Sequence, residues 1–203
     1  MPAVPERVGP VAQDPRRLAG AELLERAVAY TRGCLQLVPG TPPDAHTPCE
    51  QWDLRTLLRH MDDALSVFTD AAEVGYVDLV PVPADGELPL LVERLRQRAC
   101  ALLAAWSVHP GTGDVTVAGQ PMRSDLLAGA GSLEITVHGW DVAQACGIDR
   151  PVPAALALEL LDVVPVLVAD ADRPARFAQR VDVPVHARPS TRLLAALGRR
   201  ASR

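Results

Sequence analysis

Lysine is missing from this chain of 203 residues, in which all 20 basic residues are arginine. These arginines stand against 25 acidic residues, so the formal net charge is −5. Proteins that bind nucleic acids or acidic lipid surfaces need a surplus of positive charge to neutralise phosphate groups. The composition therefore argues against a nucleic-acid-binding protein and against a polybasic membrane-binding protein.

Closely spaced cysteines and long apolar runs are also missing. Residues 1–17 contain no apolar run of the signal-peptide type, and no stretch approaches the roughly 20 apolar residues of a membrane helix. The cysteines stand far apart without a CxxC motif, at positions Cys34, Cys49, Cys100 and Cys146. We therefore expect a reduced, cytoplasmic protein with no membrane partner.

Aromatic residues are scarce as well, at 3% of the chain, whereas apolar residues of all kinds make up 48%. Aliphatic side chains must therefore fill most of the core. The length fits one domain, or one domain with a short appendage. Residues 1–19 are rich in proline and arginine and lack periodicity, which predicts a disordered N-terminal tail.

Apolar side chains recur at helical spacing in four segments after this tail. The first segment ends near Gly40, and the second begins after Asp53, whose side chain suits a helix N-cap. A third follows, and the fourth runs from about Pro121 to Cys146. Four such helices pack most economically as a bundle, so residues 20–150 are predicted to form a four-helix bundle.

Shorter elements are predicted around and after this bundle. A brief strand at Val115–Ala118 precedes the fourth helix, and residues 151–203 form a small C-terminal α/β appendage. Within the appendage, Ala154–Ala169 is apolar nearly all round, which predicts a helix sandwiched against the bundle or covered by a partner subunit in a homodimer. Val181–Val185 alternates like a short edge strand, and residues 190–198 predict a last small helix. The expected fold class is mainly α.

The fourth helix carries polar residues within its apolar face. Glu134 and His138 lie four residues apart, so both project from one face of the helix. An ionised carboxylate on such a face must be paired, neutralised or bound to a metal. On the second helix, His60 points toward the same interior. Two histidines and one glutamate from two helices suit a divalent metal, and with zinc they would leave one coordination position open.

Other interpretations of these residues stay open at this point. A Glu–x3–His pair is also common on the surface of a helix, and a histidine near an apolar face is often a hydrogen-bonded core residue. The spacing is not HExxH, so a metalloprotease-type general base is not indicated. Spacing alone does not decide between a metal site and a structural role for these residues.

Two stretches of the chain resemble a known family. TPCEQWDLRTLLRHM (Thr47–Met61) and LEITVHGWDVAQACG (Leu133–Gly147) are similar to the signature stretches of the mycothiol-dependent maleylpyruvate isomerase-like family, which belongs to the DinB-like metalloenzymes. VDVPVHARPSTRLLAALGR (Val181–Arg199) resembles the tail of the shorter, actinobacterial branch of that family. The likeness covers roughly residues 22–199. The abundance of Arg, Ala, Pro and Gly, typical of a GC-rich genome, agrees with an actinobacterial source.

The resemblance implies a DinB-like four-helix bundle in which His60, Glu134 and His138 bind zinc or another divalent ion such as Ni²⁺ or Fe²⁺. It also implies mycothiol as a thiol co-substrate, which the metal would bind as a thiolate. Addition of the thiolate to a cis double bond, rotation and elimination would give an isomerase. Addition or displacement without elimination would give an S-transferase. The expected function is one of these two reactions on a small electrophile.

Three alternatives to this function stay open. The same ligand set could hold Fe(II) for oxygen chemistry, or it could use a metal-bound hydroxide in a hydrolase. The bundle could also be a non-catalytic binding or interaction module. The family's namesake carries a larger C-terminal domain, which helps to close its active-site cavity. In this chain the candidates to reach the site from the appendage are Arg173, Arg176, Arg180 and Arg188.

Further residues near the expected site have positions in the sequence that suggest a role. Asp141 follows His138 by three residues on the same face, so it could orient that histidine or accept a proton, or simply form a salt bridge. Arg59 and Arg123 lie near the expected mouth and could hold the cofactor or an acidic substrate. The remaining expectations are structural: Trp52 packs at the start of the second helix, Trp140 lies in the core, and all four cysteines are packing residues.

Overall fold

The structure, a computed structural model, describes residues 15–49, 52–77, 86–108, 114–117, 120–173 and 177–201. Four long helices dominate these residues: α1 (Pro15–Leu35), α2 (Leu54–Val74), α3 (Leu88–Val108) and α4 (Ser124–Ala145). The predicted fold class is confirmed, since the protein is mainly helical and consists of a helical bundle followed by a small appendage. None of the helices in the described ranges is long and apolar enough to cross a membrane.

Helices α1 and α4 lie side by side and run in the same direction, since Gly20 lies beside Ala128 and Thr31 lies beside Gly139. A Cβ atom on Gly139 would collide with the Thr31 hydroxyl. Only glycine therefore permits this close approach of α1 to α4. That hydroxyl also donates a hydrogen bond across the interface to the carbonyl oxygen of Ile135, at 2.7 Å.

Helix α2 begins as the sequence predicts. The Asp53 side chain accepts a hydrogen bond of 2.8 Å from the backbone N–H of Thr56 and so caps the first turn. The helix ends at Gly75, whose φ of 70° lies in the left-handed region that favours glycine. These two signals fix the length of α2, and with it the position of His60 two turns inside the helix.

A three-stranded sheet joins the bundle helices, in the order β1 (Tyr76–Val77), β2 (Asp114–Val117) and β3 (Gln120–Arg123). Strand β1 pairs with β2 in parallel, and β2 pairs with β3 in antiparallel. The prediction that Pro121 starts the fourth helix is wrong, because Pro121 lies in β3 opposite Thr116. A proline fits there, since β3 is an edge strand whose outer side needs no backbone donor.

A second core joins the appendage to the bundle. Trp140 is fully buried, as predicted, and packs with residues of α5 (Ala154–Leu167) and α6 (Pro189–Ala196). Helix α5 buries the face that carries Leu156, Ala157, Leu160 and Val164. Its opposite face leaves Leu158 and Val166 exposed. One face of α5 is thus packed against the bundle. Burial of the other face by a partner subunit in a homodimer stays a prediction.

Two local predictions differ from the structure. The short strand predicted at Val181–Val185 does not form; the backbone N–H of Val181 donates instead to the Ala195 carbonyl at 2.9 Å. Alternating residues build a strand only beside a partner strand, and α6 occupies that place. Helix α1 begins at Pro15, so residues 15–19 of the predicted tail are helical, whereas residues 1–14 lie outside the described part. The domain limits stay predictions.

Candidate metal centre

Three polar side chains from α2 and α4 meet inside the bundle. His60 Nε2 lies 2.5 Å from Glu134 Oε1, and His138 Nε2 lies 3.1 Å from the same oxygen. One ligand atom from each of the three residues lies within 4.8 Å of the others. The structure therefore brings together the residues that the sequence proposed as one ligand set.

Asp141 supports His138 from the side opposite Glu134. Its Oδ2 lies 2.9 Å from His138 Nδ1, and the Asp141 side chain is completely buried. A carboxylate can only accept a hydrogen bond, so Nδ1 carries the proton and Nε2 is left to face Glu134. Asp141 thus contacts His138, and its role there stays a prediction.

Arg199 provides the counter-charge for Asp141. Its Nε donates to Asp141 Oδ1 at 3.1 Å and its Nη2 donates to Oδ2 at 2.8 Å, which makes a two-pronged ion pair. Burial by itself would raise the pKa of Asp141, but the charge of Arg199 and the hydrogen bond from His138 hold that pKa below its usual value. Asp141 is therefore ionised in the folded protein.

Glu134 and His138 form a strongly coupled pair in the metal-free chain. Burial by itself would raise the pKa of Glu134, but the charge of His138 and hydrogen bonds from both histidines hold it well below its usual range. Burial likewise would lower the pKa of His138, but Glu134 and Asp141 raise it well above its usual value. A proton on His138 thus occupies the place that a cation would take between these groups.

Cys49 extends the polar chain beyond Asp141. Its half-buried Sγ lies 3.4 Å from Asp141 Oδ2 and 3.4 Å from Arg199 Nη2. Cys49, His138 and Asp141 make a second compact group of possible ligands. The guanidinium of Arg199 already occupies Asp141, however, so a cation in that group would have to displace it.

The cysteine predictions have mixed outcomes. Cys34 is completely buried in the second core, as expected for a packing residue, and burial raises its pKa to about 11. Cys146 is half-buried. Cys100 is exposed, so its prediction as a packing residue is wrong. The prediction for Cys49 missed its contacts with Asp141 and Arg199, because those partners are far apart in the sequence.

Trp52 lies against the two histidines. Its ring centroid is 4.5 Å from that of His60 and 5.8 Å from that of His138. The indole also packs against the bundle core. The sequence placed Trp52 at the start of α2, and its proximity to the histidines follows because Asp53 opens the helix directly after it.

The two arginines predicted to bind the cofactor lie in different places. Arg123 forms an ion pair with Asp125 at the start of α4, and Glu134 lies about 15 Å further along that helix. The structure therefore does not bring Arg123 to the ligand cluster. Arg59 is half-buried beside His60 on α2. Hydrogen bonds from Thr56 lower the pKa of Asp53, and the charge of Arg59 adds to that effect.

The appendage residue that reaches the cluster, Arg199, is not among the four that the sequence proposed. Arg173 donates to the Ala196 carbonyl at 2.6 Å and Arg180 pairs with Asp170, while Arg188 precedes α6. The fourth candidate, at position 176, lies outside the described residues. A usable signal was present, since Arg199 closes the third stretch with family resemblance and follows Gly198, whose φ of 80° ends the last helix.

Comparison with known families gives one match. The model described as "Mycothiol maleylpyruvate isomerase N-terminal domain" matches residues 24–143, more than half of the chain. No curated protein and no solved structure matches the chain significantly. The matched residues include His60, Glu134, His138 and Asp141, whereas Arg199 lies beyond them.

Proposed function

Because the chain belongs to the family of the mycothiol maleylpyruvate isomerase N-terminal domain, we propose that it is a mycothiol-dependent metalloenzyme. It acts on a small electrophile as a thiol S-transferase or as a cis–trans isomerase. His60, Glu134 and His138 hold its metal, which is zinc or another divalent ion. The observation that supports this proposal best is the convergence of three ligand atoms within 4.8 Å, one of them on a histidine held by a buried carboxylate.

The residues present fit a divalent metal. Two imidazole nitrogens and one carboxylate oxygen are typical protein ligands of zinc in sites that keep a position open. The Asp141–His138 pair is the carboxylate–histidine arrangement that orients such ligands. When bound there, the ion would keep a net charge of +1 and lower the pKa of a thiol that reaches it.

The residues around the metal have two separate roles, which are access for the substrate and orientation of His138. The side chains of His60 and Glu134 are 37% and 31% exposed, so a small thiol and its electrophile can approach from their side. His138 and Asp141 are buried and face away from that approach. Asp141 therefore orients His138 rather than exchanging protons with a substrate, and Arg199 keeps it ionised.

The first test is the metal content of the purified protein, measured by plasma mass spectrometry. We expect about one divalent ion per chain, lost in Glu134→Gln and in His138→Ala. The matched controls Glu25→Gln and His186→Ala change exposed residues of the same types and should retain the metal. A wild-type protein without metal would contradict the proposal and favour a non-catalytic module.

The second test is thiol dependence in the metal-loaded protein. Mycothiol should accelerate either the isomerisation of a cis-enedioate substrate or its own conjugation to an aryl halide, and Glu134→Gln should abolish both. Turnover of an ester or amide without added thiol would instead support a hydrolase. Thiol-independent oxygen consumption with Fe(II) would support oxygen chemistry.

A further inference from the structure

His60 has less hydrogen-bonding support than His138. Its Nε2 lies 2.5 Å from Glu134 Oε1, and no hydrogen bond joins its Nδ1 to any residue within the described ranges. His138 uses both ring nitrogens, one toward Glu134 and one toward Asp141. Histidines that bind metals usually have such a second partner; among the described residues, His60 has an aromatic contact in its place.

An indole ring supplies that contact. The planes of Trp52 and His60 are tilted by 42° at a centroid distance of 4.5 Å, while the two imidazoles stand edge to face at 5.0 Å and 81°. The His60 side chain is 37% exposed, compared with 8% for His138. Rotation of the exposed His60 ring is therefore limited by Trp52 on one side and by His138 on the other.

Trp52 is itself held firmly by the turn before α2. Its backbone N–H donates to the Cys49 carbonyl at 2.8 Å, and its carbonyl accepts a hydrogen bond of 2.8 Å from the Thr47 hydroxyl. The next residue, Asp53, caps the helix. These bonds fix the Trp52 backbone relative to the helix that carries His60, and the indole packs against the bundle core.

We propose that Trp52 is a positioning residue for the metal site, which keeps the His60 ring in the orientation that directs Nε2 toward Glu134. This inference rests on the proposed function, because positioning matters only if His60 binds a metal. Removal of the indole should weaken metal binding and change the geometry around the ion, although no ligand is lost.

The test uses Zn²⁺ and Co²⁺ alone as probes, with Trp52→Leu, Trp52→Phe and the control Trp106→Leu. We expect Trp52→Leu to bind Zn²⁺ about 10-fold or more weakly in competition with a chelator, and to change the visible spectrum of bound Co²⁺. Trp52→Phe should restore most of both properties, since it keeps an aromatic ring. Trp106 packs against the core away from the histidines, so Trp106→Leu should lower the unfolding temperature without changing either property.

Several outcomes would overturn the inference. It is wrong if Trp52→Leu matches the wild type in Zn²⁺ affinity and Co²⁺ spectrum, or if Trp52→Phe is as defective as Trp52→Leu. A wild-type protein that binds neither ion would overturn the proposed function as well, which separates the two failures. If Trp52→Leu does not fold by circular dichroism, Trp52→Met replaces it, because the unbranched methionine side chain adapts better to an irregular gap.

Discussion

The two histidines of the candidate metal centre are held in place by different kinds of contact. His138 lies at the head of a buried polar chain, in which Asp141 binds its Nδ1 and Arg199 binds Asp141. His60 lies at a half-exposed edge and contacts an aromatic ring instead. The polar support depends on charge and combines a neighbour, Asp141, with the distant Arg199. The aromatic support depends on the shape of a ring at the start of the same helix.

This difference has consequences for stability and for metal binding. Removal of one partner of a buried ion pair leaves an uncompensated buried charge, so the His138 side should be sensitive to substitution and to pH. The described contacts of the His60 ring, apart from Glu134, are with aromatic rings, so the His60 side should respond to changes in ring packing. Each of the following experiments alters one side and leaves the other as it is.

The largest effect on stability is expected from Arg199→Met, which leaves Asp141 buried without its counter-charge. The free energy of unfolding of the metal-free protein should fall by about 3 kcal/mol, measured by urea denaturation. Arg200→Met alters the exposed neighbour and should change little. The double variant Asp141→Asn/Arg199→Met should recover part of the loss; a double variant no more stable than Arg199→Met would argue against a charge effect.

Asp141→Asn should act mainly on metal affinity. An amide oxygen is a weaker acceptor for His138 Nδ1, and it no longer balances Arg199, so Zn²⁺ affinity should fall about 10- to 100-fold. Chelator competition measures this change. Asp149→Asn is a matched control on an exposed residue of the same type. An unchanged affinity would mean that the Asp141–His138 hydrogen bond does not contribute to metal binding.

Metal affinity should also depend on pH through His138. Its pKa is raised in the metal-free protein, because the favourable charges of Glu134 and Asp141 outweigh burial. A metal must displace that proton, so the apparent Zn²⁺ affinity should fall by about tenfold per pH unit as the pH drops below this raised pKa. Titration calorimetry in two buffers of different ionisation enthalpy should report proton release at neutral pH, and its absence would show that His138 is already neutral.

The raised pKa of His138 also makes the stability of the metal-free chain depend on pH. His138 has a folded pKa above its unfolded value of about 6.5, so its contribution is fully present below that pH and is lost as the pH rises through the folded pKa. Asp141 contributes in the opposite direction: its stabilisation is present above about pH 4 and is lost on acidification.

The smallest effect is expected at the start of α2, on the His60 side. Asp53→Ala removes the N-cap and should lower the free energy of unfolding by about 1 kcal/mol. Asp53→Asn retains a capping side chain and should cost less. Thermal unfolding of the wild type and the two variants measures these changes in stability. Equal losses of stability in both variants would indicate that the cap does not stabilise α2.

The sequence predicts the helical part of this molecule well because its signals are local. Apolar residues at helical spacing mark the bundle, and the Asp53 cap lies next to the helix that it begins. The spacing of Glu134 and His138 places both on one face of α4, where the structure has them. These predictions need no knowledge of distant parts of the chain.

The remaining features depend on contacts between distant residues. Arg199 reaches Asp141 across 58 residues, so helical periodicity near either residue does not predict their contact. Pro121 fits a helix start by composition, but pairing of Val115 with Met122 makes it part of a hairpin. Val181–Val185 alternates like a strand and finds no partner strand among the described residues.

The ion pair between Asp141 and Arg199 also imposes an order of events during protein synthesis. The 58 residues that follow Asp141, up to and including Arg199, take a ribosome about 3 to 12 s to add at 5–20 residues per second. Over that interval the emerging bundle contains the Asp141 carboxylate without its guanidinium. The counter-charge of the buried Asp141 carboxylate is therefore supplied only when the appendage is translated, after the three candidate ligands.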